Sequence, residues 1–273
     1  MRAADKTWVV TGASNGMGRE LTLQLLKKGA RVAAVGRSST GLARTAALAG
    51  AGARLSTHVV DITDRAAVRA LPDTVVAAHG AVDGLINNAG IIQPFIPINE
   101  IDDETIRSVM EVNFFGTLDM TRAFLPRLLL RPEAQVVNVA SMGGFFPFPG
   151  QTVYGASKAA MRLLTEGLYT ELLDTNVAVT LIFPGAVDTG IFETSGLQRP
   201  DLSAVGRSAS LMMTAPKAAS RMIAGIEKGK LHVYVGADSK AMSLAIKIAP
   251  RTAIKLVRNQ MRKMLEEVAS KNS

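Results

Sequence analysis

Not one of the 273 residues is a cysteine. That absence removes disulfide frameworks, thiolate nucleophiles and zinc–cysteine sites from consideration, and it fits a reducing compartment. Histidine is nearly as scarce. His58, His79 and His232 stand far apart, with no i, i+4 pair and no HExxH, so a histidine-based metal centre is not expected. Aromatic residues make up 5% of the chain, and no basic surface interleaved with them points to nucleic acid. No stretch approaches 18 uninterrupted apolar residues, and the opening MRAADKTWVV has no signal-like apolar segment. A soluble cytoplasmic protein with neither metal nor nucleic-acid partner is expected.

What is present reads as globular: 48% apolar residues, 20% charged, and a length that can bury a substantial core. The formal charge is +8, but residues 236–273 hold eight Lys or Arg against three Asp or Glu. Most of the basic excess therefore belongs to the tail.

Apolar runs and helical patterns alternate along the chain. Strands are predicted at 7–11, 31–36, 53–60, 82–87, 134–140, 176–184 and 231–235. They are continuous Val, Ile, Ala and Leu runs, the pattern that burial on both faces demands. Helical patterns lie between them, including 103–130, 154–173 and 215–228, with one at 61–80 expected to be interrupted or bent near Pro72 and to end at Gly80. Alternation of this kind predicts βαβ units and one α/β domain with a parallel sheet covered on both sides.

The first strand runs into Thr11-Gly12-Ala13-Ser14-Asn15-Gly16-Met17-Gly18. A glycine turn between a strand and a helix lets backbone N–H groups approach a pyrophosphate, aided by the helix N-terminus. The spacing is G-x-x-x-G-x-G rather than the general dinucleotide G-x-G-x-x-G. At the end of the second strand, where an NAD site carries an acidic residue, stand Gly36, Arg37 and Ser38. Arg37 can pair with a 2′-phosphate and Ser38 can add a donor, which points to NADP(H).

Farther on, Ser141 follows the fifth strand, and Tyr154 and Lys158 lie four apart, on one face of a helix. A tyrosine with an ordinary pKa of ~10 is a poor acid/base at neutral pH, and a neighbouring ammonium favours its phenolate.

Taken together, these motifs resemble those of the short-chain dehydrogenases/reductases of the ordinary size. The resemblance rests on Thr11-Gly12-x-x-x-Gly16-x-Gly18, Asp61, Asn87-Asn88-Ala89-Gly90, Asn113, Ser141, Tyr154-x-x-x-Lys158 and Pro184-Gly185-x-x-x-Thr189. They occur in the family's order and cover residues 7 to about 235. The resemblance implies a single doubly wound Rossmann domain over 1–235 with a substrate loop near 190–213, and the charge and helical spacing beyond it read as a basic amphipathic helical tail over 236–273. It implies that Tyr154 exchanges a proton with the substrate oxygen, that Ser141 polarises that oxygen, and that Lys158 holds the nicotinamide ribose and lowers the Tyr154 pKa. Asn113 would hold a water leading from Lys158 to solvent. Ser14, Asn15 and Met17 join the three glycines in the phosphate turn. Asp61 and Ile62 would meet the adenine, and Asn88, Ala89 and Gly90 the adenosine ribose. Pro184, Gly185, Val187 and Thr189 would orient the carboxamide.

The segments expected around a substrate, 91–95, 143–148 and 191–213, are rich in Ile, Phe, Leu and Met. They suit a hydrophobic ketone, aldehyde or alcohol of steroid, retinoid or lipid type. Arg199 and Arg207 keep a 3-oxoacyl-thioester reductase in view. The alternative of another class is a non-catalytic NADP-binding sensor or scaffold, against which the full Asn113, Ser141, Tyr154 and Lys158 set argues. In the tail, Ile254, Val257, Met261, Leu265 and Val268 form an apolar stripe beside Arg251, Lys255, Arg258 and Arg262. Such a helix fits peripheral membrane contact, packing on its own domain, or a second subunit. A homodimer or homotetramer is expected from the resemblance.

Overall fold

The computed structural model describes residues 1–198 and 212–272, without the side chains of 263–272. Seven parallel strands form one sheet: β1 (Thr7–Thr11), β2 (Arg31–Gly36), β3 (Leu55–Val59), β4 (Gly84–Asn87), β5 (Ala134–Val139), β6 (Val177–Pro184) and β9 (His232–Val235). The order is β3-β2-β1-β4-β5-β6-β9. Each strand lies within two residues of its predicted span. A separate two-residue pair, β7 (Val187–Asp188) with β8 (Met213–Thr214), borders the segment outside the described residues. That segment contains Arg199, Arg207 and most of the expected substrate loop.

Successive residues of each strand feed opposite layers. Trp8 and Val10 pack with α1 (Gly16–Lys27) and α8 (Ala215–Glu227), while Val9 packs on the other side. That second layer holds α3 (Arg65–His79), α5 (Thr117–Leu129) and α6 (Thr152–Glu171). The interior strands are therefore buried throughout, which explains why their sequences show no alternation. Helix α2 (Ser39–Ala49) lies on the β3 edge.

Two helical segments depart from regularity or from expectation. Helix α3 is not interrupted at Pro72; the proline is buried with Val68, Leu71 and Val75, and that apolar face holds the helix together despite one missing N–H. The long helical stretch expected at 103–130 is present, with one irregularity. It runs as α4 (Asp103–Met110), a π-helical turn (Glu111–Gly116) and α5.

After β9 come α9 (Ala237–Ile248) and α10 (Pro250–Asn272). Helix α10 lies against α9 with Ala253 buried, and of the stripe expected on the tail Val257 and Met261 are half-buried while Ile254 is exposed. Leu265 and Val268 lie among the side chains not described. Among the described residues, no helix is long and apolar enough to cross a membrane.

Parallel strands put all their C-terminal ends at one edge, and the order reverses direction between β1 and β4. A doubly wound sheet opens its ligand crevice at that point.

Candidate active site

A cleft of about 680 Å³ opens above the ends of β1, β2 and β4. This falls within the ~300–1,000 Å³ range of small-molecule sites. Thr11 sets its floor: its Oγ1 accepts the N–H groups of Asn88 (2.9 Å) and Ala89 (3.0 Å), while Asn88 Nδ2 donates to Thr11 O (3.0 Å). Asn88 Oδ1 is buried beside the cleft without a partner. Gly12 has φ +68°, and a Cβ on Gly18 would fall 2.1 Å from Gly12 O, so no side chain fits between turn and helix. Asn15 begins α1 without a side-chain cap, leaving the first-turn N–H groups facing the cleft. Ser14, Gly16, Met17 and, from across the cleft, Thr189 complete this wall.

Three arginines border the end of the cleft next to β2: Arg37, and also Arg19 and Arg44, which the sequence reading did not single out. Arg19 is held by Thr45 Oγ1 (3.0 Å from Nε) and by the Ser14 carbonyl. Burial, with Arg44 close by, lowers its pKa. Arg44 and Arg37 are exposed, and Arg37 Nη1 lies 3.9 Å from Asp61 Oδ2, a solvent-screened contact of little energetic weight. Asp61 spends its other oxygen on the Thr63 N–H and hydroxyl. Ile62 is buried against the Gly116 backbone. Ser38 caps α2, accepting the Gly41 N–H at 3.0 Å, and its hydroxyl is 3.1 Å from Thr40 Oγ1.

The residues expected to handle the proton, Ser141, Tyr154 and Lys158, lie beyond Gly90. A Cβ there would sit 3.1 Å from Asn113 Oδ1 and 3.2 Å from Lys158 Nζ, so a side chain at this position would crowd both. Burial raises the pKa of the Tyr154 phenol, and the neighbouring Ser141 side chain opposes the rise. Ser141 Oγ also accepts the Gly143 N–H at 3.0 Å. Lys158 is 3% exposed, donates to Val139 O at 3.1 Å and stands 6.0 Å from the Tyr154 ring centroid. Burial of its ammonium lowers its pKa to about 8. Asn113, on the π-turn, uses its amide on Ile91 N–H (2.9 Å), Ile91 O (2.9 Å) and Ser157 Oγ (3.0 Å). Its side chain thus fixes the loop after β4. Ser157 in turn donates to Tyr154 O at 2.7 Å.

Of the 184–189 segment, Thr189 borders the cleft and the rest is held from behind. Asp238, in the first turn of α9, accepts the Ala186 N–H at 2.7 Å and fills the space where a Cβ on Gly185 would lie, 2.2 Å away. Ser239 Oγ donates to Phe183 O at 2.9 Å. The tail's first turn therefore braces the end of β6.

The family model described as short chain dehydrogenase matches residues 6–200. The chain belongs to that family. The putative oxidoreductase SadH of Mycobacterium tuberculosis is 34% identical over 259 residues, covering 92% of this chain and 94% of SadH. The 1-deoxy-11-beta-hydroxypentalenate dehydrogenase of Streptomyces avermitilis is 34% identical over 88% of both chains. The 3-oxoacyl-(acyl-carrier-protein) reductase FabG of Thermotoga maritima is 32% identical over 71% of this chain and 78% of its own. Among solved structures, a short-chain dehydrogenase from Burkholderia cenocepacia in complex with NADP superposes with TM-score 0.79 at 30% identity, covering 94% of this chain and 99% of that one. One from Burkholderia phymatum in complex with NAD gives 0.80 at 26% identity, covering 91% and 96%.

Membership fits the cleft's own features: the side-chain-free cradle at Gly12 and Gly18, the uncapped helix start and the orphaned Asn88 Oδ1 all suit a nicotinamide dinucleotide. In this short-chain dehydrogenase, part of the aromatic loop expected to line a substrate pocket serves packing instead. Phe146 is 1% exposed, and Phe145 lies edge-on to Phe183 and Tyr234. Phe95 stacks on Phe192 at 6.2 Å, joining two of the segments expected around substrate.

Proposed function

We propose that this protein is an NADP(H)-dependent short-chain dehydrogenase that interconverts a hydrophobic ketone or aldehyde and its alcohol. The observation that carries the reaction type is the buried Lys158 ammonium 6.0 Å from the centre of the Tyr154 ring, with Ser141 acting on the same phenol. A bound nicotinamide coenzyme supplies or accepts the hydride. In the reductive direction Tyr154 Oη gives its proton to the substrate oxygen while Ser141 holds that oxygen. In the oxidative direction Tyr154 takes the proton back. Lys158 supplies positive charge beneath the phenol and a donor for the coenzyme ribose. Asn113 holds the loop after β4 in place behind both.

The choice of NADP(H) is supported by Arg19, Arg37 and Arg44 at one end of the cleft, with Gly36 where a ribose-binding carboxylate would otherwise stand. A 2′-phosphate placed there meets fixed positive charge. The apolar substrate is supported by Ile91, Ile191 and the Phe95–Phe192 pair. The similarity to FabG keeps a 3-oxoacyl thioester as the second reading. Exposed Leu130 and Leu163, at the end of α5 and on α6, support assembly into a homodimer or homotetramer through those helices, which sedimentation analysis would test.

The test is a titration of NADPH and NADH by nicotinamide fluorescence, followed by a turnover screen across steroids, retinals, aldehydes and 3-oxoacyl thioesters. Arg37→Asp should raise KM for NADPH by about tenfold or more, the loss of a charge-assisted hydrogen bond, and leave NADH nearly unaffected. Equal effects on both coenzymes would refute the NADP(H) assignment. Tight coenzyme binding with no turnover on any class would shift weight to a sensor.

A further inference from the structure

Gln93 is 0% exposed, follows β4, and sits 61 residues from the helix that carries Tyr154. Its Oε1 accepts the Tyr154 N–H at 2.8 Å, and its Nε2 donates to Gly150 O at 3.1 Å. Gln151 Nε2 returns to Gln93 O at 2.9 Å. The two glutamines thus tie the loop after β4 to the start of α6.

Tyr154 is the third residue of α6, so its N–H is among those a helix leaves without an internal partner. The residue at the cap position, Gln151, makes no side-chain cap of its own. A distant side chain supplies what a local serine or aspartate ordinarily does. The bonded amide is that of the proton-transfer residue itself, so the bond fixes the backbone from which the phenol projects.

The same loop is held on its other sides. Ile91 exchanges two hydrogen bonds with Asn113, and the Ile92 N–H donates to Ser195 Oγ at 3.0 Å. Ser195 directly follows the short helix α7 (Ile191–Thr194), whose Phe192 stacks on Phe95. Residues 91–95 are therefore a junction between the π-turn, the start of α6 and α7.

We propose that Gln93 is a positioning residue that caps α6 at the Tyr154 amide and so holds the phenol in register with Ser141. This rests on the proposed catalytic role of Tyr154. A misplacement near 1 Å at a reacting group costs roughly 100-fold in rate, so a lost cap is expected to appear in turnover before it appears in coenzyme affinity.

The test uses the full chain with Gln93→Leu, which removes both side-chain bonds at similar size, and Gln93→Glu, whose carboxyl oxygen still accepts the Tyr154 N–H. Gln93→Leu should lower kcat by about tenfold or more while the NADPH Kd stays within about twofold, and Gln93→Glu should recover most of kcat. The second readout needs no substrate. The chain has three tyrosines, so Tyr169→Phe with Tyr234→Phe leaves Tyr154 as the only phenol, whose titration can be followed by absorbance. In that background Gln93→Leu should move the titration upward, in the direction Ser141→Ala moves it, because a displaced phenol would lose the lowering effect of Ser141. If Gln93→Leu does not fold, Gln151→Leu, which removes the returning bond, should give a smaller shift of the same sign. An unmoved titration, or wild-type kcat in Gln93→Leu, would overturn the proposal. Absence of turnover in the wild-type chain would instead defeat the catalytic reading, and the titration would still decide on Gln93.

Discussion

Replacing Lys158 by methionine should make the coenzyme-free protein more stable near neutral pH and less stable in strong alkali. The lysine is 3% exposed, and the carbonyl of Val139 is the hydrogen-bond acceptor of its ammonium. Burial moves its pKa from 10.5 to about 8. The shift is ~2.5 units, and at about 1.4 kcal/mol per unit the folded state bears roughly 3 kcal/mol for keeping the group charged. Between the two values the unfolded chain binds more protons than the folded one, so this contribution to stability rises with pH from about 8 and levels off above 10.5. Methionine removes the charge and keeps an apolar stem, but it leaves Val139 O without its donor, a loss of about 1 kcal/mol. The net expectation is a gain of about 2 kcal/mol near pH 7, about 4–8 °C in Tm for a chain of this size, turning to a loss of about 1 kcal/mol above pH 10.5. Urea unfolding of both proteins at the two pH values measures it, and taking the difference cancels every group they share. A methionine variant less stable than wild type at neutral pH, or a difference that does not change with pH, would refute the reasoning. Turnover should be lost throughout, because a charged group kept buried at a cost is a signature of function bought against stability.

Gly84→Ala should destabilise the fold by about 1–3 kcal/mol, since its Cβ would lie 2.3 Å from the fully buried Trp8 ring; an unchanged urea midpoint would show that the ring can yield. Acid should weaken the β3 edge, where His58 and His79 both place Nε2 2.8 Å from Ser56 Oγ. Burial, followed by His79 for His58 and by Arg31 for His79, holds both pKa values below 6.5. The unfolded chain therefore takes up protons first as the pH falls through 6.5, and stability drops. The urea midpoint at about pH 5 should lie below that at about pH 7.5, and a His58→Gln, His79→Gln variant should lose less; an equal loss in both would place the acid sensitivity elsewhere.

The interior strands were legible because burial on both faces writes itself into a continuous apolar run, as in β1, β2, β5 and β6, whereas the edge strand β3, LSTHV, carries polar residues and is partly exposed. Motif residues were legible for a related reason: a glycine that a Cβ cannot replace, such as Gly18, leaves a mark in the sequence that spacing reveals. The π-turn at Glu111–Gly116 leaves no such mark. Its Asn113 is engaged by Ile91 and Ser157, 22 and 44 residues away, and no local periodicity encodes a partner at that distance. Pro72 shows the same limit in reverse, since a local helix breaker was overruled by an apolar face that only the folded sheet supplies. Phe146 looked like a substrate contact from composition and is a core residue by position. The separation is physical. Groups that touch a ligand are constrained in residue type and so recur as motifs, whereas the groups that hold them need only a donor or an acceptor in the right place. Gln93 and Asp238 belong to the second kind, and each reaches its target across more than 50 residues. A motif can therefore name the phenol and the ammonium while saying nothing about what fixes the distance between them.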